Sequence, residues 1–290
     1  MVQAEDKQIQ LRGLTFHYRD WRGDGPPLVL LHGLASNCRI WDLVSPLLTP
    51  RFTVYALDQR GHGQTGAPDH GYEFESVCAD LHAFIQSLGL DRPLLAGHSW
   101  GGNVVLQYAV DYPNSTAGII MVDGGTIEIV SMPGMNWQNA QVRMAPPDFT
   151  GITWEGLLER VKAGDLGALW GPEVEEFFRA NFRVDPPGEV RPYLTRENHM
   201  QCVRALWEHK PSQLFRRVEV PVLVVPAWRA PRSDREALFT NSKVKMVNLA
   251  KDLLKDCEVH WMEDSIHDIP LQRPQQLADT IIAFAEERRH

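Results

Sequence analysis

Gly97-His98-Ser99-Trp100-Gly101 lies between the apolar run Leu94-Leu95-Ala96 and an amphipathic run that follows it. A strand that turns abruptly into a helix at a serine reads this way. Glycines on either side of the apex remove the Cβ atoms that would collide, so the two backbones can approach. The turn lifts the Ser99 hydroxyl clear of a sheet and sets it at a helix start, where backbone N–H groups favour developing negative charge. The chemistry implied is nucleophilic attack. A serine hydroxyl alone is a weak nucleophile, so a base must take its proton and a carboxylate must orient that base. Other site chemistries find little support. There is no His-x-His, no His-Glu-x-x-His and no cysteine cluster, so no metal is expected. Gly97 to Gly102 has neither the Lys-Ser/Thr ending of a phosphate loop nor the spacing of a dinucleotide fingerprint, so no cofactor is expected.

The elements around this turn alternate. Residues 8–21 alternate apolar and polar and could turn at Arg12-Gly13, which predicts an edge hairpin. Leu28–Leu31, Phe52–Leu57, Leu94–Ala96 and Ala117–Val122 are short continuous apolar runs, as strands buried on both faces require. Helices are predicted over Ser36–Leu48 and Phe74–Leu88, and after Ser99. Alternating strand and helix implies parallel pairing with helices on both sheet faces, and ligands then bind at the carboxyl ends of the strands. His32, Asp58 and Ser99 each follow a predicted strand, so they should share one rim. Residues 126–214 lack buried strand runs and carry Trp137, Trp154, Trp170 and Trp207 among short helices broken by Pro and Gly. They read as an α-helical cap inserted into a core of residues 1–125 and 215–290. Strand character returns at Val218–Ala227, a long helix follows over Asp234–Leu254, then a strand at Cys257–Met262 and a last helix at Pro274–Glu287.

Hydrophobic residues make up 43% of the 290 positions and charged residues 23%, as in ordinary globular proteins. A net charge of −8 argues against nucleic acid or an anionic membrane as partner. No run approaches the roughly 20 apolar residues that span a bilayer. The polar start shows no signal peptide, and Cys38, Cys78, Cys202 and Cys257 are too scattered for a disulfide framework. A cytoplasmic location is expected. The assembly state is left open.

Taken together, the serine turn, His32-Gly33 after a buried strand, Asp58-x-Arg60-Gly61-His62-Gly63, and a histidine between the last strand and last helix resemble the α/β-hydrolase superfamily over nearly the whole chain. The resemblance implies a mostly parallel eight-stranded sheet flanked by helices. It makes Ser99 the nucleophile and His267, in its Ser-x-His-x-x-Pro context, the base. It implies an oxyanion hole from the backbone N–H groups of Trp100 and Leu34. The third member is less plain. The family most often takes its acid from the loop after its seventh strand, where this chain has Ala230. Asp123, freed by Gly124-Gly125 after the sixth strand, is one candidate, since some relatives place their acid there. Asp234 is the alternative, although Ser233-Asp234 also reads as a helix N-cap. Asp58 and Arg60 are expected to tie loops together.

The activity implied is hydrolysis of a small, apolar carboxylic ester or lactone through an acyl-enzyme. Carbon–carbon bond hydrolysis, haloperoxidase-like chemistry and a non-catalytic ligand-binding role are the alternatives. Gly-His-Ser-Trp-Gly-Gly also resembles the Gly-His-Asp-Trp-Gly-Gly of haloalkane dehalogenases and epoxide hydrolases, but those reactions need a carboxylate nucleophile.

Overall fold

The computed structural model describes residues 3–186 and 188–288; the outermost residues of the two expected core segments, and position 187 of the expected cap, lie outside it. Glu5–Leu11 (β1) and Leu14–Arg22 (β2) form an antiparallel hairpin with Leu11 opposite Leu14. Arg12 and Gly13 turn it with φ of +49° and +81°. Two successive residues at positive φ match the twist of the strands they join. Pro27–Leu31 (β3), Thr53–Leu57 (β4), Leu94–His98 (β5) and Gly118–Val122 (β6) follow. Phe182–Asp185 (β7) and Glu189–Pro192 (β8) pair only with each other, and Val222–Val225 (β9) and Cys257–Val259 (β10) rejoin the main sheet. That sheet has eight strands in the order β1-β2-β4-β3-β5-β6-β9-β10. The β2 strand is antiparallel to both neighbours, and the remaining pairs are parallel.

The central strands are buried on both faces, and their side chains alternate between two cores. Leu28 and Leu30 pack with Trp41, Val54, Ile120 and Ile281, whereas Val29 and Leu31 pack with Leu81, Val104 and Tyr108. Each fully buried aliphatic side chain stabilises the fold by about 1.5–3 kcal/mol relative to exposure. The chain leaves β3 for β4 on one side and later returns to β5 on the other. The carboxyl ends of β3 and β5 therefore form the switch point at which doubly wound sheets hold ligands.

Two expectations are corrected. Ser36–Leu48 is not one helix but a 3₁₀ turn at Cys38–Trp41 and a single α turn at Ser45–Leu48. Asn37 caps the first by accepting from Arg39 N–H, and Pro46 offers no N–H with which to continue a helix from it. The segment between β6 and β9 is not purely helical either. It holds helices at Trp137–Arg143, Trp154–Lys162, Pro172–Arg179 and Arg196–Glu208, but also the β7–β8 hairpin. Val190 of β8 is buried against Trp154 and Leu157, so the hairpin closes a small core of its own. The segment docks through Phe177, which joins the core around Cys38 and Ile40. Asn37 Nδ2 donates to Phe177 O and Asn181 Oδ1, and Arg39 pairs with Glu176 at 3.0 Å. Among the described residues no helix is long and apolar enough to cross a membrane.

Candidate active site

Ser99 sits between β5 and the helix Trp100–Asp111 with φ +53° and ψ −120°, a region L-residues rarely occupy. Its N–H is held by Val122 O at 2.9 Å, and its carbonyl accepts from Gly102 N–H at 2.9 Å. The glycines that permit this are sterically obligatory. A Cβ on Gly97 would lie 2.0 Å from Gly101 O, and one on Gly124 would lie 1.9 Å from Ser99 O. The elbow and the loop after β6 are thus packed backbone to backbone. Gly33 faces the apex, since a Cβ there would stand 3.5 Å from Ser99 Oγ. His32-Gly33-Leu34 therefore runs past the serine. Among the described residues neither Leu34 N–H nor Trp100 N–H has a hydrogen-bond acceptor.

His98 is opposite Val122 in the β5–β6 ladder, so Ser99 and Asp123 leave neighbouring strands side by side. Asp123 also has positive φ, +42°, and its N–H continues the ladder to Val225 O at 2.9 Å. Its Oδ2 lies 2.6 Å from His267 Nδ1. Its Oδ1 accepts from Ala227 N–H at 2.9 Å and from Lys243 Nζ at 2.7 Å. The carboxylate is only 3% exposed, yet burial, which opposes its charge, is outweighed by the hydrogen bonds and charges of His267 and Lys243, and its pKa falls well below the usual range. For His267 desolvation opposes the cation, but the hydrogen bond and charge of Asp123 prevail and raise its pKa. The His267 side chain is nonetheless half-exposed, which fits a base open to a reactant.

Asp234 goes elsewhere. It is exposed in the first turn of the helix Asp234–Leu253, behind the N-cap Ser233, whose Oγ accepts from Glu236 N–H at 3.2 Å. An acidic residue there favours the helix dipole. Of the two candidate acids, Asp123 is the one that meets His267. Ala230 is exposed and apolar.

The His267 loop is pinned from several sides. Ser265 N–H donates to Trp228 O, Ile266 N–H to Gln272 Oε1 at 2.7 Å, and His98 Nε2–H to His267 O at 2.9 Å. Burial lowers the His98 pKa to about 4, so its ring is neutral and can donate at one nitrogen only. No hydrogen bond joins Ser99 Oγ to His267 Nε2 among the described residues; the link between their loops runs through His98, whose ring centre is 4.8 Å from that of His267. His62 stacks on Trp100 and is likewise neutral, burial lowering its pKa to about 3.

Asp58 and Arg60 tie loops together. Asp58 accepts from Cys38 N–H at 2.7 Å and Gln64 N–H at 2.9 Å and pairs with His17 Nδ1 at 2.7 Å. Arg60 grips Asp80, with Nη2 to Oδ1 at 2.7 Å. Within 4.8 Å of one another, His17, Cys38 and Asp58 are the metal-ligand types that the sequence did not bring together. They already satisfy each other: His17 bridges Asp58 and Asp6, and burial pushes the Cys38 thiol pKa well up, away from the thiolate a metal takes. Sequence reasoning also missed Lys243, which carries no motif and sits on a mixed helix.

A cleft of about 810 Å³ opens between the β7–β8 hairpin, His199, and the loops at Ala35-Ser36 and His62-Gly63. It flanks the Leu34 turn, and Ser99 is not in its wall. A narrow pocket of about 40 Å³ lies behind His267, between Asp123, Lys243, Met132 and Phe239.

Comparison with known proteins agrees with this architecture. Residues 26–225 match the model of the alpha/beta hydrolase fold family. The chain is 31% identical over 240 residues to 2-(acetamidomethylene)succinate hydrolase of Mesorhizobium japonicum, covering 82% of this chain and 83% of that one. A 39% match to a Burkholderia fluoroacetate dehalogenase spans only 106 residues, 35% of each chain. Among solved structures, E-2-(acetamidomethylene)succinate hydrolase superposes with a TM-score of 0.74 at 22% identity over 98% of this chain and 99% of that one. A bromoperoxidase from Bacillus anthracis reaches 0.74 at 18% identity, over 98% and 99%. With its eight-stranded sheet, its elbow and a family match across most of its length, this chain belongs to the α/β-hydrolase family.

Proposed function

We propose that the protein is a serine hydrolase that cleaves a small carboxylic ester or lactone through an acyl-enzyme. The observation that carries the reading is a serine on a strained elbow beside a buried carboxylate bonded to His267 Nδ1. Ser99 Oγ attacks the carbonyl carbon as its proton passes to His267 Nε2. Negative charge develops on the carbonyl oxygen, and the unengaged N–H groups of Leu34 and Trp100 receive it. The intermediate then expels the alkoxide, which takes the proton from the imidazolium and leaves Ser99 acylated. Water repeats the cycle: His267 takes its proton, the acyl–Ser99 bond breaks, and the serine oxygen recovers its proton. Asp123 holds the ring with Nε2 free and stabilises the imidazolium. Contact between Ser99 and His267 tightens when substrate excludes water from the turn, as is common for such pairs.

In this reading the segment 126–214 is a cap, and its cleft beside Leu34 admits a mostly apolar substrate. A cytoplasmic setting fits the four free cysteines. A serine at position 99 argues against the dehalogenase and epoxide hydrolase chemistries, whose alkyl-enzyme esters need a carboxylate.

A second reading, amide hydrolysis, is favoured by the similarity to 2-(acetamidomethylene)succinate hydrolase over 82% of the chain. The same residues would serve, with His267 protonating the departing nitrogen.

A fluorophosphonate should label Ser99, and short p-nitrophenyl esters should be turned over by the native protein but not by Ser99→Ala, which is expected to lose about 10⁶-fold in kcat. A folded protein that neither labels nor turns over would overturn the hydrolase reading. Faster cleavage of N-acyl enamides than of esters would replace the ester with the amide.

A further inference from the structure

Lys243 is the charged group at the site for which the proposed reaction has no use. It lies midway along the helix Asp234–Leu253, its side chain 17% exposed and its Nζ 5.6 Å from the ring centre of Phe239. Nζ donates to Asp123 Oδ1 at 2.7 Å and to Ala227 O at 3.0 Å. The two oxygens of Asp123 are therefore divided, one facing a fixed ammonium and Ala227 N–H, the other facing His267 Nδ1. Ala227 supplies both a donor to the carboxylate and an acceptor to the lysine, so the three groups form a closed ring anchored just past the end of β9. This lysine meets the acid close to the strand end from which relatives usually supply theirs.

We infer that Lys243 is a positioning residue, which fixes the orientation of the Asp123 carboxylate and sets the pH range in which His267 is neutral and can act as a base. The inference rests on the triad reading above. A cation on the far oxygen draws negative charge away from the imidazole, and it stands close enough to repel an imidazolium directly. Without it the carboxylate keeps only Ala227 N–H on Oδ1, can rotate, and holds the His267 proton more strongly. The sign follows: removing Lys243 raises the His267 pKa, and a base that must be neutral then works only at higher pH. The other titratable neighbours do not take over this role. Asp268 attracts the imidazolium, and His98 is neutral and bonded to the His267 carbonyl. Glu128 borders the same narrow pocket, but one of its carboxylate oxygens accepts Ser212 N–H. Among the described residues, only Lys243 and Ala227 bond to Asp123 Oδ1.

The test uses the full chain with Lys243→Gln, Lys243→Met and Lys243→Arg. Two quantities are followed against pH: the rate of fluorophosphonate labelling of Ser99, and the ring resonances of His267 by NMR. The neutral variants should shift both midpoints upward by about one pH unit, and Lys243→Arg should restore most of the native value. At a pH one unit below the native midpoint, that shift reads as a labelling rate lower by roughly ten-fold. Native midpoints in Lys243→Gln and Lys243→Met would overturn the inference, as would a downward shift. Failure of Ser99 to label in the native protein would overturn the hydrolase reading instead, and the NMR titration would still decide whether Lys243 sets the His267 pKa.

Discussion

Asp123 has more than one neighbour to satisfy, and each fixes a different degree of freedom. Ala227 N–H and Lys243 hold Oδ1, which sets the plane of the carboxylate, and His267 Nδ1 takes Oδ2. An amide at this position would present an N–H where an acceptor is needed, to either the lysine or the imidazole. Asp123→Asn should therefore lower kcat by about 10³- to 10⁴-fold with little change in KM, while Asp234→Asn should stay within about two-fold of native. Equal losses in the two variants would sink the assignment. Ser99 and His267 could be read from the sequence as candidates because each lies in a short local pattern. The choice between Asp123 and Asp234 could not, since it depends on how β6, β9 and the following helix lie against one another. Lys243 was illegible for the same reason: its role depends on the contact with Asp123, 120 residues away along the chain.

The elements show which local rules prevailed. Continuous apolar runs became buried parallel strands because both faces of the sheet are covered. The β7–β8 hairpin escaped detection because Phe182-Arg183-Val184-Asp185 is only four residues long, two of them charged, and only Val190 of the pair is deeply buried. Ser36–Leu48 had helical spacing, but Asn37 and Pro46 divide it. The elbow is the most constrained element. Gly97→Ala would force a methyl to within 2.0 Å of Gly101 O, so it should cost at least about 3 kcal/mol, or prevent folding. Gly89→Asn is the control: φ there is also positive, +62°, but nothing lies within 4 Å, and the change should cost no more than about 1 kcal/mol. Denaturant titration of both variants checks the contrast.

At the scale of the whole molecule, charges at the junction between core and inserted segment make stability depend on pH. Burial raises the Asp42 pKa to about 7, although Arg19 and Arg39 pull it down. A carboxyl group whose folded pKa exceeds its unfolded value of about 4 contributes stability below that value and loses it as pH rises toward 7. Burial opposes protonation of His17, but Asp58 and Asp6 raise its pKa overall, so its contribution is present below about pH 6.5 and lost as pH rises through the folded value. Asp123 has the opposite sign: its depressed pKa gives stability above about pH 4 that is lost on acidification. Melting temperature should therefore peak in mildly acidic solution. Asp42→Asn should flatten the decline between pH 5 and 7, and an unchanged decline would contradict this account.

The carboxylate bonded to His267 follows β6, and the loop after β9 makes a different contact. It extends Arg229 and Arg232 to Asp165 on the inserted segment, at 2.7 and 2.9 Å. That loop is a strap between the core and the inserted segment. The strap is ionic and open to solvent, and each such pair is worth under about 1 kcal/mol. Raising ionic strength from about 0.01 to 1 M shortens the screening length from about 30 to 3 Å. Salt would thus weaken this strap between core and inserted segment while leaving the buried Asp123 carboxylate and its partners in place, so the two sets of contacts respond to different solution conditions.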